Sequence, residues 1–408
     1  MSKTQEANTK GFRLALKQVC SRTDFAKNGQ YVHTPFDLCH EMVDKLERNT
    51  GLFDKTFLTI NLEFVEVLCY DFGIAKEKIW FVTDCQQKAN IIKHERYKGV
   101  NVILTDSYLT WEPNMKFDVI VGNPPYQDTD ENGNSLAGGG IKLWERFLRH
   151  SIELLKNDGY LCYLHPSGWR NYGSKVFSEI FQAYAVKYVN ILTAEKHFDV
   201  GSKFDWYVLQ KSNPTKNTVV EWNTEKKTVD ISTIKGLPSM PIMFGILDKF
   251  SKESCYLDCQ RIQTHHNHRD HMSQSKKKGF IYPIQHTLSD GIWWSNLKHP
   301  FQNKKKVVMF RSGYLTPSYD NGKLGTSDGC FFILVSSKKE GKYIIRLLNS
   351  KLYRCFVYQS KTSGFNDLKV LRLLPYPKYL PDNFTDEDVY KYFNLTPEEI
   401  ALVEETTK

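Results

Sequence analysis

Apolar positions in the first half of the chain recur with two alternating periods. Residues 37–46 (DLCHEMVDKL) place Leu38, Met42 and Leu46 on one helical face, just after the Thr34-Pro35 break. Residues 65–72 continue as a helix, and 78–82 (KIWFV) form a short apolar strand. Residues 101–104 (NVIL) and 117–121 (FDVIV) read as two more strands of the buried type. Residues 144–155 have the spacing of an amphipathic helix, ended by Lys156-Asn157-Asp158-Gly159. A strand comes next at 160–164, and 185–192 and 206–210 predict two more. Strands alternating with helices predict a mostly parallel sheet covered on both faces. Ligands of such sheets gather at the carboxyl ends of the strands, so the residues just past each strand carry the interest.

After Gln210 the pattern changes. Ser212-Asn213-Pro214-Thr215 reads as a linker, and the stretch beyond it is irregular, basic and rich in turn residues. Near the end, Thr385 and Thr396 stand where helix caps are expected, the second within Thr396-Pro397-Glu398-Glu399. The expected organisation is an α/β domain over residues 1–211 and a second, α+β domain over 212–408.

Composition narrows the class. With 41% hydrophobic and 13% aromatic residues, the chain is not of the disordered type. Its longest apolar runs, 119–121 and 161–164, fall far short of the ~18 residues a membrane span needs. The first 29 residues lack the apolar centre of a secretory leader, and nine scattered cysteines suit a reducing compartment. The expectation is a soluble cytoplasmic protein. The net charge of +9 is concentrated: residues 211–310 hold sixteen Lys and Arg against eight Asp and Glu. Lys276-Lys277-Lys278 and Lys304-Lys305-Lys306 lie there, interleaved with Tyr282, Trp293, Trp294 and Phe301. Phosphate neutralisation and base stacking require such a segment, which points to nucleic acid.

The chemistry is expected where the strand at 117–121 runs into Gly122-Asn123-Pro124-Pro125-Tyr126. Two prolines remove two backbone donors and stiffen the turn. The Asn123 side-chain oxygen and the Pro124 carbonyl remain as fixed acceptors beside an aromatic ring. Two acceptors and a π-face fit an amino group on a heteroaromatic ring, or a side-chain amide. Accepting both hydrogens pulls the nitrogen toward tetrahedral geometry and frees its lone pair for attack on a methyl donor, so catalysis is orientation and electrostatics.

With these residues the sequence resembles the adenine-N6 DNA methyltransferases of the TaqI-like, gamma-type motif order, in which the Asn-Pro-Pro-Tyr tetrad is the amino-methylation motif. The resemblance implies a Rossmann-like, doubly wound, mostly parallel sheet of the class I methyltransferase type, followed by a target-recognition domain. It implies S-adenosylmethionine as cofactor and Asn123, Pro124, Pro125 and Tyr126 as the catalytic tetrad. Thr34 and Pro35, in Tyr31-Val32-His33-Thr34-Pro35, match the family's Thr-Pro segment beside the methionine part of the cofactor. Asp106 matches the acid after the third strand, and Asp84 is taken as the acid for the ribose hydroxyls. Phe198, with Phe204 second, is the candidate to stack with Tyr126 on a base flipped out of the duplex, and 127–140 the candidate flap over it. Residues 311–335, 363–366 and 374–377 resemble the recognition domain, so Arg311 joins Lys276–278 and Lys304–306 as candidate DNA contacts. Double-stranded DNA, a cognate restriction endonuclease and the cytoplasm of a bacterium or a virus-infected host are the implied setting.

One departure stands out. The family ends its first strand in a glycine-rich turn for close approach to the methyl donor, whereas residues 57–64 (FLTINLEF) contain no glycine. Phe64 is the cofactor contact expected there, and Glu63 is a possible stand-in. This departure opens a second reading: a methyltransferase-like protein that binds DNA with an impaired cofactor site. A third is methylation of cytosine N4, an RNA base or a glutamine side chain. Cys255 and Cys259, with His265, His266, His268 and His271 close behind, are spaced more tightly than a zinc finger, and no metal is expected.

Overall fold

The computed structural model describes residues 11–16, 33–126, 142–191, 203–223, 225–262, 269–289, 291–361 and 365–407. Two compact units emerge: residues 1–169 with 174–235, and residues 170–173 with 236–408. The boundary expected at 211/212 lies before the last hairpin of the first unit. Strands β8 (Thr218–Trp222) and β9 (Glu225–Val229) pair with the first sheet and carry the division to 235/236. Ser212–Thr215 is thus a connection inside the first unit, and the basic stretch begins within that unit.

The first unit is built on a nine-stranded sheet. Its earlier strands are β1 (Phe57–Thr59), β2 (Ile79–Thr83), β3 (Asn101–Leu104), β4 (Phe117–Gly122), β5 (Leu155–Pro166), β6 (Ala185–Ile191) and β7 (Phe204–Gln210). The order is β3-β2-β1-β4-β5-β7-β6-β8-β9, and β1 to β5 pair in parallel. Strand β7 runs against both β5 and β6. Short β1 is buried at all three positions, as a central strand covered on both faces must be. Helix α1 (Phe36–Thr50) turns Leu38, Cys39, Met42, Val43 and Leu46 inward at helical spacing. Helices α2 (Leu62–Tyr70), α3 (Gln86–Lys93) and α4 (Leu143–Leu154) complete the alternation, and one core cluster joins α1 and α2 to the sheet strands.

Strand β5 starts earlier than the sequence pattern predicts. Residues 156–159, expected to be a turn, form its irregular beginning, with Asp158 at φ 60° and a register shift against β4. The polar run has the composition of a loop because strand pairing there depends on distant partners: Asp158 N–H donates to Lys211 C=O and Lys211 N–H to Gly159 C=O.

The second unit is α+β. Strands β10 (Met272–Ser273), β11 (Tyr282–Thr287), β12 (Gly291–Ser295) and β15 (Gly325–Thr326) form one sheet, ordered β10-β12-β11-β15. Strands β13 (Lys305–Phe310), β14 (Ser318–Asn321) and β16 (Cys330–Leu334) form another, with β13 central. Helices α5 (Met243–Ser251), α6 (Lys338–Asn349), α7 (Lys351–Gln359), α8 (Leu368–Leu371), α9 (Asp386–Tyr392) and α10 (Pro397–Thr406) pack with β13 and β16 around a core rich in aromatic rings, among them Phe250, Tyr353, Phe356 and Phe393. Both expected caps are present as full capping boxes, Thr385 with Asp388 and Thr396 with Glu399.

Candidate active site at the switch point of the sheet

In the first sheet the strand order reverses between β1 and β4. A crevice outside the carboxyl ends of such strands is where open α/β sheets place their ligands. Three adjacent strands end in the same device. The Thr59 hydroxyl accepts the Asn61 N–H at 3.2 Å, the Thr83 hydroxyl the Cys85 N–H at 3.0 Å, and the Thr105 hydroxyl, more weakly, the Ser107 N–H at 3.5 Å. Each hydroxyl turns the chain off its strand. The middle residues of these turns are Ile60, Asp84 and Asp106. Two carboxylates, one half-buried and one exposed, thereby stand side by side past β2 and β3.

The turn after β1 contains no glycine and needs none. Asn61 is extended (φ −120°, ψ 128°), and no residue from 57 to 64 has a positive φ. Glu63, in the first turn of α2, is buried; its Oε1 accepts the Thr34 N–H at 3.1 Å and lies 2.9 Å from His33 Nδ1. It ties down the Thr-Pro segment. Phe64 departs from expectation: it is fully buried in the core beneath α2, a packing residue rather than a wall of the crevice.

Across the switch point, the Asn-Pro-Pro-Tyr turn follows β4. Asn123 is only 5% exposed and is held by three side chains. Its N–H donates to Asn61 Oδ1 at 2.6 Å, and its C=O accepts from Asn61 Nδ2 at 3.2 Å. Its own Nδ2 donates to the Thr34 hydroxyl at 3.1 Å, and its Oδ1 accepts the Tyr126 hydroxyl at 2.5 Å. Thr34 is fully buried and its hydroxyl engages Asn123 Nδ2, so the Asn123 side-chain amide is bonded at both ends, Nδ2 to Thr34 and Oδ1 to Tyr126. Burial pushes the Tyr126 phenol well above its ordinary pKa, so it stays a neutral donor. The Phe204 ring lies 5.4 Å from the Tyr126 ring at 34°. Phe198, the first candidate for that place, lies outside the described residues, as do 127–140.

The structure thus brings together Thr34, Asn123 and Tyr126. It adds Asn61, which sequence reasoning missed; the recurring Thr-x-polar triplet at three strand ends was the available signal. The acceptor set also fits the nucleoside part of S-adenosylmethionine: Asp84 and Asp106 can receive ribose hydroxyls and a ring amine.

In the second unit the lysine triplets part company. Lys276, Lys277 and Lys278 are exposed, and the first two lie over aromatic rings, Lys276 5.2 Å from Trp294 and Lys277 4.7 Å from Phe280. Lys304 and Lys305 are exposed as well. Lys306 is not, and its assignment as a DNA contact is corrected. Its ammonium is fully buried, 2.7 Å from Asp320 Oδ2 and bonded to the carbonyls of Phe301 and Lys304. Successive strand residues face opposite ways, so a triplet that runs into β13 cannot present a single surface. Arg311 is half-buried, its guanidinium 4.6 Å from the Phe365 ring. Cys255 and Cys259 are free thiols; Cys259 is buried, with Sγ directed at the Leu371 carbonyl. His265, His266 and His268 lie outside the described residues.

Strand order, the antiparallel β7 and the tetrad at the switch point define a class I methyltransferase fold. Within that class, residues 12–198 match the family model of the Eco57I restriction-modification methylases. The chain is 41% identical over 78 residues to the modification methylase CviBIII of Paramecium bursaria Chlorella virus NC1A, a match covering 18% of this chain and 20% of that protein. It is 40% identical over 68 residues to the type II restriction enzyme and methyltransferase RM.Eco57I of Escherichia coli, covering 13% of this chain and 7% of that one. The chain therefore spans a fifth or less of the length of these two relatives. Among solved structures, the cryo-EM structure of a DrdV–DNA complex shares the fold with a TM-score of 0.52 at 10% identity, covering 85% of this chain and 55% of the other. Among the described residues, no helix is long and apolar enough to cross a membrane.

Proposed function

We propose that the protein is an S-adenosylmethionine-dependent methyltransferase that modifies adenine N6 at a specific sequence in double-stranded DNA, in restriction-modification or in protection of DNA, within the cytoplasm. The observation that carries this reading is Asn123, held at its backbone by Asn61 and at its side-chain nitrogen by Thr34, whose side-chain oxygen already accepts an O–H donor. An adenine amino group presents the same kind of donor. That oxygen has a second lone pair, so the amine donates one hydrogen to it, beside or in place of the Tyr126 hydroxyl, and the other to the Pro124 carbonyl. The Tyr126 and Phe204 rings supply an aromatic wall for the base. Asp84 and Asp106 would hold the cofactor, which when bound would supply a sulfonium methyl group. Orientation by Asn123 and Pro124 frees the nitrogen lone pair for that methyl group; the N–C bond would form as the methyl–sulfur bond breaks, the thioether S-adenosylhomocysteine would leave, and the displaced amine proton would go to solvent. The exposed lysines and neighbouring tryptophans of the second unit support duplex binding there.

Retention of a cofactor site is read from the turn after β1, which forms without positive φ. The reading of a DNA-binding protein with an impaired cofactor site rests on the same turn's lack of glycine. Calorimetric titration of S-adenosylmethionine into the protein, with and without duplex, separates the two. Micromolar binding together with methyl transfer that Asn123→Ala lowers by about 1,000-fold supports the enzyme. Duplex binding with no heat from the cofactor supports the alternative.

A further inference from the structure

We propose that Asn61 is a positioning residue: its side-chain amide continues the β1–β4 ladder past the point where β1 has turned away, and so sets the backbone that carries the acceptors. The ladder pairs Phe57 with Val119 and Leu58 with Ile120. Beyond it the chain after Thr59 turns into α2, leaving β4 without a backbone partner on its β1 side just where the tetrad begins, while β5 still pairs on the other side. A carboxamide has the same donor and acceptor as a peptide unit. The Asn61 amide uses both, on the N–H and the C=O of Asn123, at the same offset of 62 residues that the strands keep. Pro124 and Pro125 offer no N–H, so the Asn123 N–H is the last backbone donor before Tyr126, and Asn61 takes it.

Two neighbours fit this role. Thr59 holds the Asn61 N–H at 3.2 Å and thereby fixes where the amide starts from. Gly122 leaves room for the amide: a Cβ there would sit 2.8 Å from Asn61 Oδ1, while its next neighbours, Tyr163 Cε1 at 3.4 Å and Ile60 Cγ1 at 3.6 Å, are at ordinary or near-ordinary contact. The glycine before the tetrad is thus explained by the amide that crosses it, since Gly122 has no positive φ. Asp in place of Asn61 keeps the acceptor and loses the donor, Leu keeps the shape and loses both, and Gln is one methylene too long.

Asn61 touches the reacting groups only through Asn123, and its kinetic consequence rests on the proposed methyltransferase reading. A misplacement of about 1 Å at such a centre costs roughly 100-fold in rate. The test combines Asn61→Leu, Asn61→Asp, Gly122→Ala and the double variant Asn61→Ala with Gly122→Ala. Expected is a kcat lowered by about 100-fold in Asn61→Leu with KM for duplex changed less than about threefold, and a smaller loss in Asn61→Asp. Gly122→Ala alone should lower both kcat and the melting temperature. In an Asn61→Ala background the same change should cost little, because the atom it strikes is gone. Wild-type kcat in Asn61→Leu, or a Gly122→Ala loss of equal size in both backgrounds, overturns the proposal. If the wild-type protein transfers no methyl group, the functional reading fails on its own, and the melting-temperature cycle still decides whether Asn61 and Gly122 are coupled.

Discussion

The two units use polar residues in opposite ways. At the switch point of the first sheet, Thr34, Asn61 and Asn123 come from three distant parts of the chain, are buried or nearly so, and satisfy one another. On the second unit, Lys276, Lys277, Lys278, Lys304 and Lys305 stand in solvent, and their contacts are with rings or lie on the surface. Buried uncharged amides and hydroxyls fix a geometry, because every alternative leaves a buried polar atom unpaired. Exposed ammonium groups fix little and serve long-range attraction. The proposed place for chemistry and the proposed place for holding a polyanion are distinguishable on that ground alone.

The sharpest way to break the comparison is Asn123→Ala. Methyl transfer should fall by about 1,000-fold, as for loss of a preorganised polar group in a catalytic centre, while duplex affinity in a filter-binding assay stays near wild type. Equal losses of both would merge the two roles. Next in size is Lys306→Ala, which tests the one lysine of the second unit's two triplets that obeys the rule of the first unit. It leaves the buried Asp320 carboxylate with only the backbone N–H groups of Gly322, Lys323 and Leu324 and no counter-charge, and urea unfolding should show a loss of about 3 kcal/mol, with the salt dependence of DNA binding unchanged. Lys304→Ala should leave stability alone.

His165 gives a pH test of the buried side. It donates to or accepts from the Tyr207 hydroxyl at 2.8 Å, stacks on Trp144 at 4.6 Å, and burial lowers its pKa from 6.5 to about 3. The folded protein keeps the ring neutral where the unfolded chain protonates it. The unfolded state therefore binds the extra proton between pH 6.5 and 3, and stability falls as pH drops through that window. At pH 5 the loss from this group is about 2 kcal/mol relative to pH 8, and His165→Gln should remove that share of the pH dependence. A slope unchanged in the variant would place the titration elsewhere. The smallest effect sharpens the exposed side: replacing Lys276, Lys277 and Lys278 together by Ala should reduce the slope of log affinity against log salt by up to about 3, without moving the melting temperature.

Much of this contrast is legible in the sequence, and the parts that are not have physical reasons. The strand–helix alternation, the tetrad after β4 and the caps at Thr385 and Thr396 are local patterns, and local patterns survive in one dimension. The extra hairpin of the first unit, β8 with β9, is hidden because Lys226 and Lys227 lie on an exposed edge strand, and their charge matches the composition of the basic second unit. Lys306 is misplaced by sequence because a run of like residues hides the two-residue period of a strand. Phe64 is assigned from a motif resemblance, whereas its burial is set by the helix that begins at Leu62. Asn61 escapes notice because the glycines that the turn lacks are more conspicuous than the amide it has, and its partner lies 62 residues away.

The central claim is that the Asn123 turn transfers a methyl group to an adenine amine. It is tested most directly by incubating wild-type protein and Asn123→Ala with duplex DNA and methyl-labelled S-adenosylmethionine, then digesting the DNA to nucleosides and separating them. The account predicts label in N6-methyladenosine of the deoxy series from the wild type, and about 1,000-fold slower labelling by the variant. Label in another nucleoside, or unlabelled DNA from a wild-type protein that binds both cofactor and duplex, would contradict it.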